Sequence, residues 1–138
     1  MLAAAFFAGS SCRDATAPVR LEGGYALVEE NGQPLPSDPF APNGCCITLS
    51  GSMTFTATTY DIRTSYRNKN GGFPFDNSEQ GTYTRARQTL TFTRLSGGGL
   101  GLRYGLGEGT ASADGASVTL VYGDDAPGSN QIRATFRR

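Results

Sequence analysis

Apolar and polar residues alternate with a period of two along most of this chain, the spacing of strands with one face buried and the other wet. Gly24 to Glu29 places Tyr25 and Leu27 on one side, and Asn31-Gly32 then turns the chain. Cys45 to Ser50 reads as the next short strand, with Gly51 at a bend or bulge. Met53, Phe55 and Ala57 alternate with threonines, after which the phase flips: Tyr60, Ile62, Thr64 and Tyr66 alternate with Asp61, Arg63, Ser65 and Arg67. A one-residue slip moves every side chain to the other face, so the flip predicts a hairpin near Thr58-Thr59. Asn68 to Ser78 is rich in Gly and Asn and reads as a loop. Gly81 to Arg85 then returns through Thr89 to Arg94, with Tyr83, Leu90 and Phe92 inward. Leu100, Leu102 and Tyr104 suggest a further strand. Gly109 to Ala113 and Ser117 to Tyr122 pair across Asp114-Gly115, a favoured tight-turn dipeptide, and Ile132, Ala134 and Phe136 form the last strand.

Eight or nine short strands joined by hairpins predict an all-β fold. The expected form is an antiparallel up-and-down β-barrel of about eight strands, with a β-sandwich as the alternative. Closure leaves no exposed sheet edge. The 138 residues suit one domain. Residues 22–138 are its body, 13–21 read as a polar tether, and 1–12 stand apart.

Twelve basic and twelve acidic side chains balance, so no basic field draws nucleic acid. The chain has no histidine, which removes His-based acid–base catalysis, nucleophile activation and metal ligation. No catalytic residue, cofactor or metal site is expected. Asp124-Asp125, with Asn130 and Glu108, match no EF-hand spacing and read as a solvated acidic turn. Glu29 and Glu30 face opposite ways on one strand. Arg63, Arg67, Arg85 and Arg87 form either an anion-binding stripe or an outer sheet face balanced by acids such as Asp61; the second is the plainer account.

Met1 to Ser11 is a short apolar run followed by small residues, too short to span a bilayer and shaped as an export signal. The stretch Gly9-Ser10-Ser11-Cys12 resembles the bacterial lipoprotein lipobox, with Gly9 where the usual Leu stands. The resemblance implies lipidation at Cys12 and a membrane anchor in the bacterial cell envelope. Arg13 after Cys12 implies the outer membrane or its periplasmic face. An ordinary cleaved signal, or an apolar N-terminal element packed on the domain, are the other readings.

Gly23-Gly24-Tyr25 on the first strand, the Asn31-Gly32-Gln33-Pro34-Leu35-Pro36 loop and Gly81-Thr82-Tyr83-Thr84 together resemble the small lipocalin-like (calycin-type) barrels of bacterial lipoproteins. Tyr25 stands where that family carries Trp. The resemblance implies a barrel around a cavity that binds an apolar small molecule, and it transfers no catalytic residue. Tyr25, Phe55, Tyr60, Tyr66, Tyr83, Phe92, Tyr104 and Tyr122 are then the candidate ligand-lining residues. Read from the residues alone, these side chains and Phe136 equally fill a barrel that is just wide enough to be packed by its own interior.

Cys45-Cys46 has one thiol on each strand face, and three states are open: two unlinked thiols, which is the simplest, a vicinal disulfide, or an intermolecular bridge. Phe73-Pro74-Phe75, in an otherwise polar loop, is either a lid tucked over the barrel end or an exposed partner-binding tip, and the lid is the preferred account. The expected function is a membrane-anchored binding module for a small apolar ligand or an envelope partner. The alternative is a structural or inhibitory lipoprotein acting through its loops. No enzymatic activity is expected.

Overall fold

The structure, a computed structural model, describes residues 19–39, 41–42, 44–97, 107–122 and 131–138. Nine strands occur among them: β1 (Gly23–Glu30), β2 (Gln33–Pro34), β3 (Cys46–Phe55), β4 (Thr59–Asn68), β5 (Phe75–Ala86), β6 (Thr89–Gly97), β7 (Glu108–Ala111), β8 (Ser117–Tyr122) and β9 (Ile132–Arg137). From β3 to β9 each strand pairs antiparallel with the next, β1 pairs with β3, and β9 returns to β1. Eight strands therefore close a barrel, and β2 lies beside β1 outside the ring. The all-β barrel expected from the alternation is the fold, and the sandwich alternative is set aside.

The inner face carries the apolar half of each alternation. Met53, Leu90, Val118, Leu120, Ile132 and Ala134 are fully buried, with Tyr25, Phe55, Tyr60, Ile62, Phe92 and Phe136 packed among them. The hairpin expected near Thr58-Thr59 is present, with β3 ending at Phe55 and β4 starting at Thr59. Thr56 organises it: its Oγ1 accepts the Thr59 amide at 3.0 Å, and its backbone N–H donates to the Thr59 carbonyl at 2.9 Å. At the Asp114-Gly115 turn, the Asp114 carboxylate accepts from the Ser112 hydroxyl at 2.5 Å and the Ala116 amide at 3.0 Å. Those hydrogen bonds hold the carboxyl below its usual range.

Three boundaries differ from the sequence reading. Asp76, Asn77 and Ser78, placed in a loop, belong to β5 and lie opposite Ser65, Thr64 and Arg63 of β4. The long β4 edge supplies backbone partners that outweigh their poor strand propensity. The bulge near Gly51 falls between Thr48 and Ser50, and β3 continues through it. Leu21, assigned to the tether, is 2 % exposed and belongs to the core. The strand suggested at Leu100, Leu102 and Tyr104 lies outside the described residues, as do Cys12, Asp124, Asp125 and Asn130.

The two ends of the barrel are unlike. The strands joined by residues 56–58, 87–88 and 112–116 meet at one end in tight turns. Val19 to Glu22 and Arg138 lie there too. Arg85 and Arg138 donate to the carbonyls of Val19, Arg20 and Glu22, and the Arg138 guanidinium sits 5.0 Å from the Tyr25 ring centre. The long connections 31–45, 69–74, 98–107 and 123–131 all join strands at the opposite, loop-rich end.

Candidate functional site

The interior changes character between these ends. Near the sealed end it is aromatic. Phe55 meets Tyr25 edge to face at 5.6 Å and Tyr83 at 5.0 Å, and Tyr60 meets Phe92 at 5.0 Å. The Tyr25 hydroxyl donates to the Gly115 carbonyl at 2.8 Å, and that of Tyr83 to the Thr56 carbonyl at 2.9 Å. The candidate ligand-lining residues Tyr25, Phe55, Tyr60, Tyr83 and Phe92 thus touch one another as packed core. Tyr104 lies outside the described residues.

Toward the loop-rich end the interior is polar. Glu30, Ser37, Thr48, Thr64 and Glu79 are all buried there, with Tyr66 and Tyr122. Glu30 Oε1 accepts the Tyr122 hydroxyl at 2.6 Å, and Glu30 Oε2 accepts the Ser37 hydroxyl at 2.5 Å. Tyr60 donates to Glu79 Oε1 at 2.6 Å. Among the described residues the Thr48 hydroxyl has no hydrogen-bond partner. The Thr64 hydroxyl has none of good geometry, although it lies near enough to Tyr66 to favour that residue's phenolate.

Burial pushes the Tyr66 and Tyr122 phenols upward, and the Glu30 charge pushes both further. Tyr60 is raised by burial and then by its bond to Glu79, against a lowering contribution from Arg94. Of the candidate residues, Tyr66 and Tyr122 are therefore brought together around a carboxylate, while the other described ones are not.

Glu30 reaches the interior through a bulge. Counting by twos from Tyr25 and Leu27 points Glu29 inward, but the β1–β9 register shifts between Leu27 and Glu29. Glu30 consequently turns inward and is 1 % exposed, whereas the Glu29 carboxylate accepts the Thr135 hydroxyl at 3.1 Å, half-buried. No glycine marks the bulge, so the sequence carries no local signal for it.

Ser37 comes from a strap. β1 pairs with β3 only from Gly23 to Ala26, and beyond that the two strands part. β2 takes over the β1 edge opposite Glu29 and Glu30, and Ser37 bridges to Thr48 of β3 with backbone bonds of 3.0 and 2.8 Å. Residues 33–38 thus cover the parted seam, and an ion pair between Asp38 and Lys69 ties the strap to the end of β4.

Cys45 and Cys46, at the foot of β3, are joined as a vicinal disulfide, in place of the two unlinked thiols favoured by the sequence reading. Cys45 is exposed in a bend just before β3 and Cys46, the first residue of the strand, is buried. The bond closes no intervening loop, so it removes little chain entropy. Reduction by a dithiol is expected to change unfolding free energy by less than about 1 kcal/mol. Urea denaturation with and without the reductant measures this.

The remaining candidates disperse. Arg63 pairs with Asp61 at 3.2 Å on the outer face, and Arg85 binds the Val19 and Arg87 carbonyls, so no arginine stripe assembles. Phe73 is 94 % exposed and does not tuck over the barrel. Phe75, at the start of β5, stacks on Tyr66 at 5.7 Å and forms part of the rim. The lid reading is corrected to an exposed tip at Phe73 with one anchored ring beside it; a glycine-rich approach offers Phe73 no packed surface to fold onto.

Among the described residues no group of three or more Cys, Asp or Glu is placed to hold a metal ion, and no helix is long and apolar enough to cross a membrane. The chain matches no protein-family profile, no curated protein and no solved structure.

Proposed function

We propose that this chain is a cell-envelope binding module, tethered through acylated Cys12, whose lipocalin-like barrel takes a small, largely apolar ligand at its loop-rich end. The observation that carries this reading is the polar cluster around Glu30. A barrel needing only stability has no use for buried carboxylates and a Thr48 hydroxyl unpartnered among the described residues, because burying such groups costs free energy that apolar residues would not. Glu30, Tyr66 and Tyr122 stand near the strand ends from which the long connections leave, and loops carry recognition.

The tether supports the same arrangement. Val19 to Glu22, the described residues nearest to Cys12 in the chain, lie at the sealed end, opposite the loop-rich one. An acyl anchor there presents the loop-rich end away from the membrane. A second reading, docking of an envelope protein on the loops, draws on Phe73, whose ring is 94 % exposed beside the rim.

Two measurements test the proposal. Mass spectrometry of detergent-extracted protein from a bacterial host is expected to find an acylated N-terminal Cys12, and Cys12→Ala should release the protein from the membrane fraction. Unmodified Cys12 preceded by Met1 removes the anchor. NMR titration with 1-hexanol is expected to shift resonances of Tyr66, Phe75 and Tyr122 and to leave Tyr25 in place. Absence of any shift at the loop-rich end leaves the protein-docking reading.

A further inference from the structure

We infer that Glu30, with Tyr66, Tyr122 and Thr48, forms the subsite for the ammonium group of a small primary amine. This rests on the reading of the loop-rich end as a ligand site and names the head group that end selects.

Glu30 is the starting point. Its carboxylate is 1 % exposed and is held by two neutral hydroxyls, one on each oxygen. No cation stands beside it among the described residues; the ion pairs found there are Arg63–Asp61 and Lys69–Asp38. A carboxylate buried without a cation is poorly compensated, and neutral hydroxyl donors make weaker bonds than charged ones. A carboxylate offers about four lone-pair sites, of which the two hydroxyls use two. Each oxygen is thus held by a neutral donor that a charged one can replace.

The surroundings match a cation and not an anion. Tyr66 and Tyr122 both feel the negative charge of Glu30, and Tyr122 meets it directly through its hydroxyl. Thr48 is fully buried with its hydroxyl unpartnered among the described residues, directly opposite Tyr66 in the β3–β4 register and bridged through its backbone to Ser37. Its hydroxyl can accept a bond from an N–H donor as well as give one. Phe75 extends the aromatic wall from Tyr66 to the rim, where an apolar tail would lie. The second buried carboxylate, Glu79, differs because Arg94 contributes positive charge at the Tyr60 phenol that binds it.

The route in is the seam under the strap. Among the described residues the strap joins β1 through the pairs Glu29–Pro34 and Glu30–Gln33, meets β3 at Ser37–Thr48, and is tied at its end by the Asp38–Lys69 ion pair. The Ser37 hydroxyl occupies Glu30 Oε2. An incoming ammonium group replaces that neutral donor with a charged one, so Ser37 acts as a stand-in that the ligand displaces.

The test compares hexylammonium chloride with 1-hexanol, probes of similar length that differ in head-group charge, by NMR titration of the full chain at neutral pH. Hexylammonium is expected to bind at least about tenfold tighter than hexanol, since a charge-assisted bond replaces a neutral one. Glu30→Gln should bring it down to the hexanol level. Ser37→Ala should tighten hexylammonium several-fold and leave hexanol unchanged.

Equal affinity of the wild type for the two probes, or a preference that survives Glu30→Gln, overturns the ammonium subsite and leaves the ligand-module reading standing. If neither probe binds the wild type, both fall. Should Glu30→Gln fail to fold, Ser37→Ala decides, and no tightening of hexylammonium overturns the proposal.

Discussion

Gly81→Ala is expected to destabilise the barrel by about 3–5 kcal/mol, the sum of an overpacked core and a broken buried hydrogen bond. Gly81 is buried on the inner face of β5, where β5 and β6 change register between Gln80 and Gly81. A methyl group there would stand 2.1 Å from the Thr93 carbonyl oxygen and 2.7 Å from Cε1 of Tyr60. Neither neighbour yields cheaply. The carbonyl is backbone on the adjoining strand. The Tyr60 ring is pinned at its edge by Phe92 and at its hydroxyl by Glu79, 2.6 Å away.

Relief of the clash therefore means spreading β5 from β6 or moving Tyr60 off Glu79. The second leaves a buried phenol without its acceptor, at about 1–3 kcal/mol. Gly24→Ala is the control: an added methyl there has nothing within 4 Å, and stability should stay within about 0.5 kcal/mol of wild type. Thermal unfolding of the two variants separates them. A Gly81→Ala protein that melts with wild type would mean that the middle of the barrel is loosely filled. A ligand could then reach far deeper than the loop-rich end.

The alternation in the sequence was enough to draw most of this barrel, because a strand with one face buried has to repeat every second residue. Val118, Leu120 and Tyr122, or Ile132, Ala134 and Phe136, leave no other choice of inner face. The site was far less legible, for the same reason. It depends on a place where the alternation breaks: a bulge of one residue in β1 exchanges Glu29 for Glu30, and nothing in Leu27-Val28-Glu29-Glu30 announces it.

Ser37 was hidden in a proline-rich loop, and its meeting with Glu30 depends on the parting of β1 from β3, a property of barrel closure and not of any local segment. Tyr66 and Tyr122 were found as inward aromatics, but their separation from the packed group of Tyr25, Phe55, Tyr60, Tyr83 and Phe92 follows from strand direction. Both sit near the strand ends that meet the long loops. Sequence patterns report which face a side chain takes; they do not report how high in the barrel it stands relative to residues on other strands.

Burial in the barrel decides how the protein meets alkali, and here the expected effect is loss of the fold. Tyr60, Tyr66 and Tyr122 are each under 5 % exposed, and all three phenols are raised above their ordinary value, chiefly by burial. In the unfolded chain a tyrosine ionises near pH 10. Below that pH both states keep the proton and the stabilisation is whole. Above it the unfolded chain releases protons that the folded barrel retains, so stability falls with rising pH until the folded-state value is reached. Each such tyrosine contributes a slope of about 1.4 kcal/mol per pH unit, and three together about 4.

Against the usual domain stability of about 5–15 kcal/mol, that slope exhausts the fold within a few pH units above 10. The rise of the tyrosinate absorption band should accordingly be steep and should coincide with loss of far-ultraviolet circular dichroism. A shallow titration near pH 10 with the β signal intact would show these phenols to be solvent-accessible. Substitution assigns the slope. Tyr60→Phe, Tyr66→Phe and Tyr122→Phe should each remove about one third of it. The slopes are the quantity to compare, because Tyr60→Phe and Tyr122→Phe also delete a hydrogen bond to a buried carboxylate and lower stability at every pH. Tyr66 and Tyr122 ionise against the charge of Glu30, so replacing Glu30 by Gln should ease their titration and leave that of Tyr60 in place.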